Sequence, residues 1–278
     1  MEIVKPQVEL WVQDDPIAHV ARCARICYAS DKTTGNEAMY QRLIDSNHKS
    51  MLRHQSVYYM IPYKGWRLAN LQRYEECPYL EFRCDCNYIY VSTNKQFVIE
   101  HNDFNESYHE FEVDGLQFEN TYLGFSLMRY TFKVVTQIST SRELNRVSPN
   151  NISEQSTRYV NLSRKGGAIC QPHWMTEEDY NNWDKDTAYI SCWKYAESCQ
   201  NSFNNYNELI EDGMKPQDAR GVLPLDTATV CAYTYSISQW RDIIDLRYYG
   251  TTGAAHPNAR IIAGMIREKL IEAGYEFR

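Results

Sequence analysis

The sequence lacks every signal of export or membrane insertion. Its first residues, MEIVKPQVELWVQDD, hold no positively charged start followed by an apolar run, so we expect no secretory leader. No apolar stretch approaches the length that crosses a bilayer. Internal repeats, low-complexity tracts and proline-rich linkers are absent as well. We therefore expect a cytoplasmic protein without membrane contact, whose 278 residues form one domain.

Positive charge is also scarce. There are 29 Lys and Arg against 36 Asp and Glu, and the formal net charge is -7. A protein whose main task is to coat nucleic acid needs a basic face, so this charge argues against a nucleic-acid polymer as partner. It does not exclude a small anionic ligand held by a few arginines. The hydrophobic content of 43% is enough for a sizeable core.

The nine cysteines include no Cys-x-x-Cys pair. In a cytoplasmic chain they are expected to be reduced thiols. Cys77, Cys84 and Cys86 lie close together in CPYLEFRCDC, but no histidine is near them. Ordinary thiols are therefore favoured over a zinc site, and we predict no metal site.

Hydrophobic periodicity predicts a mixture of helices and strands. Asp15 and Pro16 form a typical helix start, and helical spacing continues through IAHVARCARICYA. Strands are predicted at HQSVYYMIPY, NYIYVSTN and YTFKVVTQIS, which are rich in β-branched and aromatic residues. The other predicted helices are NEAMYQRLIDSN, Thr176 to Asp212 with Gly213 as its end, PQDAR, SISQWRDIIDLRYY with Ser236 and Gln239 as caps, and Pro257 to about Gly274.

A long segment of mixed character separates the strand at HQSVYYMIPY from the strand at YTFKVVTQIS. Its part IEHNDFNESYHEFEVDG is acidic and polar, and is predicted to be a solvated excursion. A connection of this length indicates an insertion with a small structure of its own, at about residues 64–128. The sequence thus predicts a single α+β domain over residues 1–278 with one insertion.

The stretch SRELNRVSPNNISEQSTRYVN, residues 141–161, concentrates hydrogen-bonding side chains and has almost nothing that would fill a core. If SRELNR is a helical turn, Arg142 and Arg146 share a face and repel each other unless an anion lies there. Hydroxyls and backbone N–H groups near Arg158 would suit a phosphate. A solvated loop with surface charges is the alternative, and composition alone does not decide between the two.

Two later arginines favour the anion site. Arg220 lies in DARGVLPLD and Arg247 in IIDLRYY, both with apolar neighbours in the sequence. An arginine in apolar surroundings needs an anionic or polar partner. The partner would be Asp226, Asp242 or Asp245 in a structural role, or a bound nucleotide in a functional one.

These stretches resemble the flavin-dependent thymidylate synthase family. The signature of that family, Arg-His-Arg followed by a loop and Glu or Gln–Ser–Thr–Arg–Tyr, is similar to SRELNR and SEQSTRYVN in this chain. Four other stretches resemble family segments in the same order, namely ARICYAS, NHKSMLRH, ARGVLPLDTAT and DLRYYGTTGAAHPNAR. The resemblance covers most of the chain except about residues 62–130. It implies a fold like that of the thymidylate synthase-complementing proteins, in which a mostly antiparallel sheet packs with long helices.

The resemblance also implies an activity. The enzyme would methylate dUMP to dTMP with methylenetetrahydrofolate as carbon donor, and NADPH would supply the hydride through FAD. A homotetramer with shared active sites is implied as well. The residues that would hold dUMP are Glu143, Arg146, Glu154, Ser156, Thr157, Arg158, Arg220 and Arg247, with Arg158 and Arg220 on the phosphate and Arg247 against the uracil. The residues that would contact FAD are His48, Ser50, Arg146, Glu154, Ser236 and His256.

The proposed chemistry needs an activator for carbon 5 of uracil, which is a poor nucleophile. No cysteine lies in the signature or beside Arg220 and Arg247, and the nearest ones, Cys170 and Cys231, lie outside the matched positions. A fixed cation at the ring is then the remaining activator, and Arg247 is the candidate catalytic residue because its guanidinium stays charged. Ser156 as a nucleophile is less favoured, since no base is evident beside it.

One departure from the family pattern bears on the flavin. Where the family has Arg-His-Arg, this chain has Arg146, Val147 and Ser148. Either other groups hold the flavin, such as Arg142 or the tyrosines and Phe97 of the insertion, or the chemistry differs. The alternatives are flavin-dependent hydroxymethylation of a pyrimidine nucleotide and a non-catalytic nucleotide-binding homologue.

Overall fold

The computed structural model describes residues 1–29, 35–147, 149–183 and 190–278. Its α-helices are α1 (Pro16–Tyr28), α2 (Asn36–Asp45), α3 (Gly65–Gln72), α4 (Lys95–Glu100), α5 (Asn102–Tyr108), α6 (Gly115–Glu119), α7 (Tyr122–Phe125), α8 (Ile138–Leu144), α9 (Leu162–Lys165), α10 (Glu177–Asn182), α11 (Ile190–Glu211), α12 (Pro216–Ala219), α13 (Ile237–Ile244) and α14 (Pro257–Glu272). Short 3-10 turns occupy Lys49–His54, His109–Phe111 and Arg220–Val222, and a π turn, Asp245–Tyr249, continues α13.

The strands are β1 (Glu2–Val4), β2 (Gln7–Trp11), β3 (Ser56–Pro62), β4 (Glu81–Cys84), β5 (Tyr88–Asn94), β6 (Glu112–Val113), β7 (Arg129–Gln137), β8 (Ile152–Glu154), β9 (Ala168–Cys170) and β10 (Ala228–Ser236). They form an antiparallel sheet in the order β2-β7-β10-β8, a second antiparallel sheet in the order β4-β5-β3-β6, and a parallel pair of β1 with β9. The predicted α+β class with mostly antiparallel sheet is therefore confirmed. Within the described ranges, no helix combines the length and apolar character needed to cross a bilayer.

The main sheet, β2-β7-β10-β8, separates apolar from polar side chains by alternation. On one face, Phe132 and Val134 of β7 and Tyr233 of β10 pack with the apolar sides of α13 and α14. The opposite face carries Thr131 and Thr234, which are paired across the two strands. One sheet face thus builds the core, and the other builds a buried polar layer.

The second sheet, β4-β5-β3-β6, has a hydrophobic core of its own with buried side chains from β3, β5, α4 and α5. The prediction that IEHNDFNESYHEFEVDG is a solvated excursion is wrong, because Phe104 and Tyr108 in this stretch are 0% and 1% exposed. Both rings point from α5 into this core, which a count of acidic residues does not reveal. That residues 64–128 are an insertion in a single domain stays a prediction.

Helix boundaries follow local capping signals. Asp15 caps α1 through its carboxylate, and Pro16 takes the first helical position, as predicted. Ser236 and Gln239 form a capping box at α13, also as predicted. The helix predicted from Thr176 to Asp212 is described as α10 and α11, and residues 184–189 between them lie outside the described residues.

A buried chain of hydrogen bonds crosses the polar face of the main sheet. Arg22 Nη2 donates to His19 Nδ1 over 2.7 Å, so His19 carries its proton on Nε2 and donates to Thr131 Oγ1 over 2.9 Å. Thr131 Oγ1 lies 2.7 Å from Thr234 Oγ1, which lies 2.8 Å from His54 Nδ1. If each group donates to the next, Thr234 Oγ1 donates to His54 Nδ1. The His54 proton is then on Nε2, an atom without a hydrogen-bond partner among the described residues.

This arrangement keeps both histidines neutral. Burial, with the nearby positive charge of Arg22, lowers the pKa of His19 to about 4. Complete burial lowers the pKa of His54 to about 3. In the unfolded chain both imidazoles titrate near pH 6.5. Below that pH the unfolded chain binds protons that the folded protein does not, so the free energy of unfolding falls as pH falls from about 6.5 towards 4.

We predict that His19→Gln flattens this pH dependence. A glutamine keeps a donor and an acceptor in the chain but has no proton to gain, and each buried histidine accounts for up to about 1.4 kcal/mol per pH unit. Urea unfolding at pH 7.0 and pH 5.0 should show the natural protein losing more stability than the variant. The control is His109→Gln at an exposed position. Equal losses in the natural protein and His19→Gln would contradict the assignment.

Candidate functional site

The stretch from Ser141 to Asn161 connects α8, β8 and α9. It begins in α8 directly after β7, passes through β8 beside β10, and ends at α9. The expectation that this stretch has almost no side chains that fill a core is wrong. Six of its residues are buried, namely Ser141, Leu144, Val147, Asn151, Ser153 and Val160. Its backbone is also tied to α1, because Ser156 N–H donates to the carbonyl of Cys27 over 3.0 Å. The polar side chains are therefore held on a fixed backbone.

Glu154 lies at the centre of a polar cluster at the end of β8. Its carboxylate accepts hydrogen bonds from Ser141 Oγ at 2.7 Å, Thr229 Oγ1 at 3.2 Å and Asn145 Nδ2 at 3.4 Å. Asn145 is in turn oriented by Tyr233, whose hydroxyl donates to Asn145 Oδ1 over 3.0 Å. The carboxylate is thus fixed by neutral donors, which leaves its negative charge uncompensated by them.

Sequence reasoning missed the supporting residues of this cluster. Ser141 and Asn145 are four residues apart on and just after α8, a spacing that places both on one side of a helical turn. That spacing was visible in SRELN, but nothing local indicated that Glu154 would lie opposite it. Thr229 reaches the same carboxylate only because β10 pairs with β8.

Arg247 is held by Glu143. Its Nε donates to the Glu143 carbonyl over 2.9 Å, and its Nη2 lies 3.7 Å from Glu143 Oε2. Arg146 approaches the other oxygen of the same carboxylate at 3.9 Å. The structural partner of Arg247 is therefore Glu143 and not Asp226, Asp242 or Asp245. The side chain of Arg247 is 16% exposed against 73% for Arg146, so Arg247 is the restrained cation of the pair.

The π turn that carries Arg247 is itself a common feature of functional sites, because it displaces side chains from the regular helical positions.

The positive charges of Arg142 and Arg146 are partly compensated, since Glu143 lies between them in sequence and pairs with Arg146. Arg142 itself is exposed. The repulsion expected for these two arginines is thus offset by a carboxylate of the chain.

Arg220 and Arg158 lie at the open side of the stretch. Arg220 Nη1 donates to Thr157 Oγ1 over 2.9 Å. The expectation of apolar surroundings for Arg220 is wrong, because the side chain is exposed. It is not paired with Asp226, which accepts from the hydroxyls of Tyr195 at 2.7 Å and Ser139 at 3.3 Å.

Ser156 connects Arg158 to this open side. The hydroxyl of Ser156 accepts the N–H of Arg158 over 3.2 Å, and the Arg158 guanidinium lies 5.3 Å from the centre of the Tyr159 ring. Arg158 is exposed like Arg220. Both guanidiniums are solvated and can meet an anion at low desolvation cost.

The residues expected at the flavin divide into two groups. His48 and Ser50 are exposed at the 3-10 turn Lys49–His54, and His256 is exposed at the start of α14, where its Nδ1 accepts the N–H of Asn258 over 3.2 Å. These side chains and Arg146 are accessible polar groups and fit an anionic cofactor. Ser236 does not fit, because it is 0% exposed and its hydroxyl donates to the carboxylate of Glu81.

Val147 has a structural role in this chain. It is 8% exposed and packs in the same core as Leu144 and Tyr233. Its neighbour Ser148 lies outside the described residues. Phe97 is 1% exposed within the core of the second sheet, so the expectation that it stacks on a flavin is not supported.

Two other features of the molecule lie apart from these residues. A surface cavity of about 260 Å³ is formed at the first half of α1, with Arg22, Arg25 and Asn36 in its wall, and none of the expected site residues lines it. Among the residues that the structure describes, no three His, Cys, Asp or Glu side chains are grouped as a metal site requires.

Comparisons with known proteins agree with the resemblance seen in the motifs. The family model described as thymidylate synthase complementing protein matches residues 121–273. A flavin-dependent thymidylate synthase of Haloarcula marismortui is 24% identical over 144 residues, which are 47% of this chain and 56% of that protein. The chain therefore spans a little more than half the length of this relative.

The solved structures that the chain matches include two of the UMP/dUMP methylase PolB from Streptomyces cacaoi, one bound with 5-Br dUMP and one with 5-Br UMP. Each is 16% identical to this chain. The TM-scores are 0.47 and 0.46, with coverage of 98% of this chain and of 93% and 92% of the methylase chains.

We predict that Val147→His, which restores the residue of the family signature, destabilises this protein. An imidazole in the place of a buried Val147 loses apolar contacts and has no assigned polar partner, a change that costs about 1–3 kcal/mol. Urea unfolding should show the loss, and Asn150→His at an exposed position of the same loop is the control. Unchanged stability together with tighter flavin retention would mean that the loop follows another path.

Proposed function

The chain belongs to the thymidylate synthase complementing protein family, and from this premise we propose that it reductively methylates dUMP to dTMP. In this proposal methylenetetrahydrofolate donates the carbon, and NADPH supplies the hydride through FAD. The proposal is carried by two residues of α8. Glu143 restrains Arg247, and Ser141 holds the carboxylate of Glu154. One restrained cation and one restrained carboxylate are thereby both held by residues of α8.

The phosphate of dUMP is assigned to the open side of this site. Arg158 and Arg220 are exposed, and Arg220 is already directed by its bond to Thr157. Two exposed guanidiniums near a hydroxyl suit a phosphate, which accepts several charge-assisted hydrogen bonds. Ser156 orders the turn between them through its contact with the Arg158 N–H. The phosphate would thus be held by groups that need little desolvation.

The uracil ring is assigned to Arg247. Ring activation by a cation requires the guanidinium to be fixed before the reaction, and the two contacts with Glu143 provide that restraint. Arg247 would stabilise the negative charge on a carbonyl oxygen of the polarised ring, and carbon 5 of that enolate-like ring attacks the one-carbon unit. The fixed carboxylate of Glu154 would orient the ring by accepting a hydrogen bond from its one N–H group, at N3.

Activation by a thiolate is not supported by the cysteines near the site. Cys231 is paired with Glu154 across the sheet, and complete burial raises its pKa well above the ordinary value. Burial raises the pKa of Cys170 to about 12. Cys27, which sequence reasoning did not consider, lies with its Sγ 3.1 Å from Ser153 Oγ.

The Cys27 thiol is the donor in that contact. The hydroxyl proton of Ser153 is already donated to the carbonyl of Cys23 over 2.5 Å. Ser153 can therefore only accept from Cys27, so the Cys27 S–H is engaged in a hydrogen bond within the fold. This supports activation by Arg247 over attack by a cysteine.

FAD, when bound, would pass a hydride to the transferred carbon. The residues of this chain that would hold it are His48, Ser50, Arg146 and His256, with Glu154 at its edge. All except Glu154 are exposed in the single chain. We propose that further copies of the chain cover them in a homotetramer with shared sites, because an open surface of this kind does not exclude water from a reduced flavin.

A second candidate is flavin-dependent hydroxymethylation of a pyrimidine nucleotide. The observation that favours it is the burial of Val147 where the family signature has a histidine. A missing imidazole beside the flavin changes the groups that surround the one-carbon unit. A product with an added hydroxyl would distinguish this reaction from methylation by mass, and a colourless protein that binds dUMP without turnover would indicate a non-catalytic homologue.

We predict that the purified protein has the absorbance of oxidised flavin and, with dUMP, methylenetetrahydrofolate and NADPH, forms a product with the mass of dTMP.

We predict that Arg247→Lys lowers turnover far more than dUMP affinity, because lysine keeps the charge but loses the planar pair of donors. Arg241→Lys on the exposed side of the same helix is the control. Normal turnover by Arg247→Lys would refute ring activation by this residue.

We predict that Arg220→Ala weakens dUMP binding by about ten- to a hundredfold, since one charge-assisted phosphate contact is removed. Calorimetric titration measures the affinity, and thermal unfolding should change little because Arg220 is exposed. Arg164→Ala, an exposed arginine on α9, serves as the matched control. Equal dUMP affinity of Arg220→Ala and the natural protein would remove Arg220 from the phosphate site.

A further inference from the structure

The second sheet is fastened to the start of α13 by one carboxylate. Glu81 is the first residue of β4, and the Oγ of Ser238 lies 2.8 Å from each of its carboxylate oxygens, which share the one proton of that hydroxyl. Glu81 also accepts from Ser236, the cap residue of α13. Both hydroxyls lie at the N-terminal end of the helix, where unpaired backbone N–H groups favour a negative charge.

Two further contacts strengthen this connection. Gln239 Nε2 donates to the carbonyl of Pro78 over 3.0 Å, so a second residue of α13 is bound to the same segment. Arg129 is 6% exposed, and its Nε and Nη2 have no hydrogen-bond partner among the described residues. Burial lowers the pKa of Arg129, and the negative charge of Glu81 is among the influences that oppose that effect. The charge of Glu81 thus contributes to stabilising a buried guanidinium.

The helix that Glu81 holds is the one that leads to Arg247. α13 runs from Ile237 to Ile244 and passes without a break into the π turn Asp245–Tyr249. At the far end, Arg247 is held by Glu143. Contacts at Ser236, Ser238 and Gln239 restrain both the position and the rotation of α13 about its axis. The direction in which Arg247 leaves the helix depends on that rotation.

We propose that Glu81 is a positioning residue for Arg247, so that the segment at residues 64–128 sets the geometry of the candidate site from a distance. The proposal rests on the function proposed above for its catalytic consequence. Its mechanical part, the restraint of α13 and the π turn, does not depend on which reaction the protein performs. A displacement of about 1 Å at a reacting group can lower a rate by about a hundredfold, so a modest rotation of the helix would suffice.

The mechanical part is tested by amide hydrogen exchange followed by mass spectrometry. Glu81→Ala should accelerate exchange in α13 and also in the π turn Asp245–Tyr249. The matched control is Glu112→Ala, an exposed glutamate on β6 of the same sheet. Faster exchange confined to the second sheet and to residues 236–239 would overturn the proposal, because Glu81 would then only fasten the two parts together. If Glu81→Ala does not fold, Ser238→Ala removes one hydroxyl and gives the same readout.

The catalytic part is tested by kinetics in the assembled enzyme with its flavin. Glu81→Ala should lower kcat by about tenfold or more, with dUMP affinity by calorimetry within about twofold of the natural protein. In the Arg247→Lys background the same substitution should have little further effect on kcat, because Glu81 acts through Arg247. Unchanged kcat, or multiplied effects in the double variant, would overturn the proposal. An inactive natural protein would instead refute the proposed function, and hydrogen exchange would still decide the role of Glu81.

Discussion

The antiparallel pairing of β7 with β10 is the constraint on which the rest of the structure depends. It runs from Arg129 opposite Ser236 to Gln137 opposite Ala228. α8 begins directly after β7, and α13 begins directly after β10, so the register of this one pair sets where both helices start. A slip of one residue would exchange the apolar and polar faces of both strands and would destroy the core and the buried polar layer together.

The same pairing brings the candidate site together from segments that are distant in the chain. α8 supplies Glu143 and Ser141, β8 supplies Glu154, and the end of α13 returns Arg247 to Glu143. Charges within the site differ in their freedom. Arg247 is restrained and mostly buried, whereas Arg158 and Arg220 are solvated. This division fits a ligand with one rigid polar ring and one strongly anionic end, because a fixed group suits the ring and solvated groups meet the phosphate at low desolvation cost.

Hydrogen bonds explain how the second sheet is attached to α13. The polar face of the main sheet holds the buried His19 and His54, and Glu81 of the second sheet accepts from Ser236 and Ser238. An apolar interface would bind as well but would tolerate sliding, whereas hydrogen bonds with fixed directions accept one arrangement only. The attachment of this segment therefore also determines the position of the helix that it touches. Residues far from the substrate acquire a part in the geometry of the site in this way.

Local signals in the sequence determined the starts and ends of helices, the main strands and the composition of the stretch at 141–161. Caps such as Asp15 with Pro16, and alternation such as that of YTFKVVTQIS, depend on neighbouring residues and are readable without a fold. The family motifs further indicated which arginines to examine. Local composition misled where burial was decided elsewhere, as for Phe104 and Tyr108 in an acidic stretch and for Val147 in a polar one.

Tertiary structure alone decided the partners. Arg247 is bound by Glu143 and Arg220 by Thr157, whereas the structural alternative in the sequence had been an aspartate, and Ser236 contacts Glu81 across 155 positions of the chain. Such pairs depend on which strands adjoin and in which register, and no periodicity of a single segment contains that information. The sequence by itself thus determined which chemical groups are available, and the packing of distant segments determined which of them face each other, because hydrogen bonds and ion pairs act over a few ångströms in space and not along the chain.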